Sequence, residues 1–90
     1  MNPEDKQFLR HHLLTTLNTV SPISLPVSTI VQRAHVAGFD HIGKTEIERE
    51  LAYLAGKDFV SQSPAELSRG INRYQITAQG IDYLEANGLA

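Results

Sequence analysis

The chain has 90 residues, 41% hydrophobic and 20% charged, with a formal charge of −2 at pH 7. That length holds one core, so residues 1–90 read as a single domain, and the composition is that of a globular protein rather than a disordered tail. A pI near 6.0 argues against a strongly basic nucleic-acid binder, while the lack of cysteine excludes disulfides, thiolate metal sites and a cysteine nucleophile.

A local basic patch can still sit on a mildly acidic body. A core this small predicts a modest stability margin, so pairing with a second copy is expected. The start, MNPEDKQFLRHH, has neither the basic region nor the apolar run of a signal peptide. No apolar stretch approaches the ~20 residues that span a bilayer. A cytoplasmic protein without a membrane partner is the expectation.

The first helix is predicted over residues 3–20. Asn2 can cap it, Pro3 suits the first helical position, and Glu4 and Asp5 suit the positive end of the dipole. Leu9, Leu13, Leu17 and Val20 recur at helical spacing, with Leu14 beside them. Phe8, His11 and Thr15 fall on the other side. Pro22 and Pro26 in SPISLP break the helix. A second helix is predicted from Pro26 to about Ala37, with Val27, Ile30, Val31 and Ala34 inward and Gly38 as a left-handed stop. Phe39 and Ile42, in the connector GFDHIGK, are expected to plug into the core.

The third helix lies in GKTEIERELAYLAGKDFV. Thr45 and Glu48 fit the capping-box pattern, and Gly56 ends the helix. Ile47, Leu51, Leu54 and Ala55 face inward; Thr45, Arg49 and Ala52 centre the opposite face, with Tyr53 beside it. DFVSQS and INRYQI read as two paired strands. Ser63-Pro64-Ala65-Glu66, between them, can begin a helical turn. A fourth helix follows, capped by Thr77 and stopped by Gly88, with Ile81 and Leu84 inward. Gly80, early in that helix, suggests close approach of a neighbouring backbone. The predicted core is Leu9, Leu13, Leu17, Ile30, Ala34, Ile47, Leu51, Leu54, Phe59, Tyr74, Ile76, Ile81 and Leu84.

Three stretches carry a resemblance. ELAYLAGKDFV resembles a third helix running into the wing of a winged helix-turn-helix domain. RYQITAQGIDYL is similar to the closure after the wing in MarR-like and PadR-like regulators. STIVQRAHVAGF resembles the helix before the recognition helix. Together they cover about residues 8–88. The chain also resembles small winged-helix proteins of Mu-like prophages. The fold implied is mainly α with a small β-hairpin, in the order α-α-α-β-β-α. One departure is the connector from Gly38 to Lys44, longer than the 3–4-residue turn of a compact helix-turn-helix.

The resemblance implies a transcription-regulator-like protein, phage- or prophage-derived, that binds double-stranded DNA. Its third helix would enter the major groove and its wing would touch the backbone. Lys44, Thr45, Arg49 and Tyr53 would face DNA from that helix, Arg69 and Arg73 from the wing, and Arg33 from the second helix. Against this stand Glu46, Glu48 and Glu50, which would repel phosphate. The alternative is a winged helix used for protein assembly, a homodimer through the terminal helices, with Phe8 and Tyr83 as exposed apolar contacts.

Adjacent His11 and His12 point about 100° apart and cannot share an ion as an i, i+4 pair could. Asp40-His41 has no nucleophile elbow or phosphate-binding glycine loop with it. No metal, cofactor or enzymatic activity is expected.

Overall fold

The computed structural model describes residues 2–64 and 72–89. The chain is mainly helical with one small antiparallel sheet. The order is α1 (Pro3–Thr19), β1 (Leu25–Pro26), α2 (Val27–Ala34), α3 (Lys44–Gly56), β2 (Val60–Pro64), β3 (Asn72–Ile76) and α4 (Ala78–Ala86).

α1 starts where its cap requires. The Asn2 side chain accepts the Asp5 N–H at 2.8 Å, and Pro3 opens the helix with an N–H it does not need. Leu9, Leu13, Leu14 and Leu17 are fully buried along one side, whereas Phe8 is 64% exposed.

The expected two-stranded hairpin is part of a three-stranded sheet in the order β1-β3-β2. Leu25 pairs with Tyr74 and Pro26 with Arg73, so Pro26 is strand rather than the first helical residue. Pro26 holds Leu25 extended, and a proline is tolerated where the strand lies at an edge. β2 and β3 pair from Val60 opposite Ile76 to Pro64 opposite Asn72. Of the turn expected at Ser63 to Glu66, Ser63 and Pro64 belong to β2; Ala65 and Glu66 lie outside the described residues.

α2 stops at Ala34 and continues as a widened helical turn, His35–Phe39. Gly38, at φ 108, takes the left-handed conformation expected of it. α3 begins two residues earlier than the Thr45–Glu48 capping pattern implies. Gly43 is the N-cap, no side chain caps the helix, and the Ile47 N–H reaches the Gly43 carbonyl at 3.1 Å. Thr45 is thus already inside the first turn. Ile42, only 3% exposed, anchors the chain directly before Gly43 and sets that starting point. At the far end the left-handed residue is Asp58, φ 63, not Gly56; aspartate is among the few side chains that tolerate this region.

α4 is tied to α3 and β2 by its cap. The Thr77 hydroxyl accepts the Gly80 N–H at 3.1 Å and donates to the Asp58 carbonyl at 2.6 Å. Gly80 packs on the Phe59 carbonyl, the close approach its position suggested. One core joins all the elements. Eleven of the thirteen residues expected in it are buried, but Phe59 and Ile81 are half-buried against its edge; Leu14, Val27, Ile42 and Val60 complete it.

Candidate nucleic-acid interface

α3 turns Ile47, Leu51 and Leu54 to the core and leaves Lys44, Thr45, Glu46, Arg49, Ala52 and Tyr53 exposed. The long connector before it is fastened in three ways. The His35 Nε2–H donates to the Ile42 carbonyl at 2.8 Å, and the Ile42 N–H donates to the Phe39 carbonyl at 3.0 Å. The Ile42 side chain fills the core. The extra length therefore does not leave α3 loosely aimed.

The three glutamates are not equivalent. Glu50, expected on the surface, is 5% exposed, and its Oε2 accepts the Arg10 Nε–H at 2.7 Å. It faces α1 because it lies one position before Leu51, on the flank that α1 covers. Glu48 pairs with Lys44 at 3.7 Å, one turn away, with both side chains largely in solvent, so the pair contributes little. Burial first, then the Glu48 carboxylate, pushes the Tyr74 phenol above its ordinary value. Glu46 is exposed.

The expected basic residues divide in the same way. Lys44, Thr45 and Arg49 are exposed on α3, and Arg33 is exposed at the end of α2. Arg73 is half-buried and already engaged: its Nε donates to Ser24 Oγ at 3.0 Å and its Nη2 to the Ser24 carbonyl at 2.9 Å. It fastens β3 to the segment before β1. Arg69 lies outside the described residues. Tyr53 is 43% exposed, but the guanidinium carbon of Arg10 sits 3.8 Å above its ring centre and Lys57 Nζ lies 5.7 Å away. A partner meeting Tyr53 meets those two cations with it.

Lys6, Arg10 and Lys57 do not stand out in the sequence as site residues. A signal existed: Lys6 and Arg10 are four apart on α1, and Arg49, Tyr53 and Lys57 recur at four-residue spacing at the end of α3. Nothing in one sequence says that these two rows meet. A cavity of about 300 Å³ opens where they do, lined by Arg10, Tyr53, Lys57, Phe59 and Tyr83 among others.

The histidines tie elements together. His11 Nε2 lies 2.9 Å from the Tyr83 hydroxyl on α4, and the Tyr83 ring packs 4.7 Å from that of Phe59. Tyr83 is thus a joint rather than a lone surface aromatic. His12 Nε2 lies 3.3 Å from the Thr16 hydroxyl, and its ring packs 5.5 Å from Phe39. Burial lowers both histidine pKa values; for His12 a hydrogen bond with the Arg33 backbone works weakly the other way. Among the described residues no three His, Cys, Asp or Glu side chains converge as metal ligands, and no helix is long and apolar enough to cross a membrane.

Comparison of the chain with family models, curated proteins and solved structures gave no match.

Proposed function

We propose that this chain is a winged-helix protein that binds double-stranded DNA through the outward face of α3, in the manner of a small transcription regulator. Two features support the fold reading: the order helix, strand, two helices, two strands, helix, and the sheet order β1-β3-β2. The observation that carries the function is the charge on α3. Glu50, which would oppose phosphate, is turned inward and neutralised by Arg10, while Arg49, Lys44 and Thr45 remain outward. Arg49 supplies the fork that can read guanine, and Lys44 sits at the helix start, where backbone N–H groups also favour phosphate.

Fluorescence anisotropy on a mixed-sequence duplex, at low and at near-physiological salt, tests this. Salt-dependent binding that Arg49→Glu abolishes is the expected result. No binding at low salt would reject general DNA affinity.

A second reading, contact with another protein or a second copy through the outer face of α1, draws on Phe8, 64% exposed beside Glu4, Gln7 and His11. Sedimentation of the wild type against Phe8→Ser tests it: a dimer that the substitution dissociates supports this reading, and two identical monomers reject it.

A further inference from the structure

We infer that the seam between α1 and α3 is a binding site for the phosphate backbone of double-stranded DNA, with Arg10 as its fixed anion-binding group; this rests on the DNA-binding reading above. Four of the chain's eight lysines and arginines line the seam: Lys6 and Arg10 from α1, Arg49 from α3 and Lys57 directly after it. Two carboxylates, Glu46 and Glu50, share it. The seam thus holds an excess of two positive charges on a chain whose formal charge is −2. The remainder of the chain is correspondingly more acidic, so a polyanion is directed here rather than elsewhere.

Arg10 is held on two sides. Its Nε–H is committed to Glu50 at 2.7 Å, and its guanidinium carbon lies over the Tyr53 ring, 3.8 Å from the ring centre. Among the described residues, neither terminal amino group of Arg10 is hydrogen-bonded. An arginine anchored through Nε and stacked on an aromatic face keeps a flat two-pronged donor for a phosphate and gives up little side-chain freedom on binding. Glu50 therefore has a use besides filling space: it orients the cation that a phosphate would meet. Lys57 Nζ, 5.7 Å from the same ring, and Lys6, beside Arg49, extend the row along the seam. Both lysines are exposed and make no ion pair among the described residues, so their charge is open to a ligand. The row continues directly from Arg49 on the outward face of α3. A duplex seated on that face would bring its backbone along α1 rather than toward Arg73, which is half-buried and donates from Nε and Nη2 to Ser24.

The test is fluorescence anisotropy of the full chain with a mixed-sequence duplex over a salt series. It compares the wild type, Arg49→Glu, the double variant Lys6→Gln with Lys57→Gln, and Arg10→Lys, with a thermal melt of each. The double variant should melt like the wild type, since neither lysine holds the fold. Its plot of log affinity against log salt should be shallower by about 2, roughly 0.9 for each phosphate that a lysine no longer neutralises. Arg10→Lys keeps the charge but not the fork or the stack, and should bind about tenfold more weakly at fixed salt with its slope kept. If Arg10→Lys melts early, the lysine pair alone decides. Wild-type binding that Arg49→Glu abolishes, together with an unchanged slope in the double variant, would overturn the seam and leave the DNA-binding reading standing. No wild-type binding at low salt would overturn both.

Discussion

Arg10 and Glu50, forty residues apart in the chain, meet at 2.7 Å across the seam of α1 and α3, the carboxylate buried and the guanidinium partly in water. The pair joins two helices, and its effect on stability is asymmetric. Removing the cation strands a buried carboxylate, whereas removing both charges does not. Arg10→Ala should cost about 2 kcal/mol, less than a fully buried pair because Arg10 stays in touch with solvent. Arg10→Met combined with Glu50→Leu should recover at least half of that loss. Urea unfolding of the single and double variants measures both, and a double variant no more stable than Arg10→Ala would contradict the asymmetry.

Leu51 is fully buried in the centre of α3. Truncation to alanine removes three carbons from a packed site and leaves a cavity. Leu51→Ala should lose about 2–5 kcal/mol, enough to threaten a domain of this size. A loss under about 1 kcal/mol in urea unfolding would mean that this face of α3 is not in the core.

Gly80 has no room for a side chain. A Cβ there would overlap the Phe59 carbonyl and lie 2.8 Å from Ile76 Cγ1. The carbonyl is backbone and cannot step aside, so α4 must shift as a unit. Gly80→Ala should destabilise by about 1–3 kcal/mol, although alanine is the better helix former at an open position. A variant at least as stable as the wild type in the same assay would show that α4 moves freely.

The histidines set the response to acid. Burial holds His11 and His12 below the usual histidine value of 6.5. In the unfolded chain each takes up its proton near that value; in the folded chain each does so at lower pH. Below 6.5 the unfolded state therefore binds more protons, and stability falls as the pH drops. Melting temperatures between about pH 7.5 and about pH 5 should decline with acidification, and less steeply in His12→Gln. A melting temperature that rises on acidification through that window would contradict the sign.

Much of the fold was legible because its signals are local. The Asn2 cap, the leucine row of α1, the inward face of α3 and the Thr77 cap each depend on residues within a few turns of one another. β1 was not legible: two residues carry no periodicity, and only the open edge of β3 gives them a partner. The capping pattern at Thr45 misled because Ile42 anchors the chain next to Gly43 and starts the helix two residues earlier. At the candidate interface, Lys44, Thr45, Arg49, Tyr53 and Arg33 lie at the surface as expected, Tyr53 with Arg10 over its ring, whereas Arg73 is engaged by Ser24.

The sequence by itself determined where the four helices and the β2–β3 hairpin lie and which helical faces are apolar, since these follow from backbone chemistry and spacing. Only the tertiary structure decided that Glu50 points inward while Glu46 stays out, and that Lys6 and Arg10 lie beside Arg49 and Lys57. The physical reason is that a charge takes its meaning from what it faces. Which flank of α3 is covered by α1 depends on how two distant helices pack, and no local pattern in the chain records that.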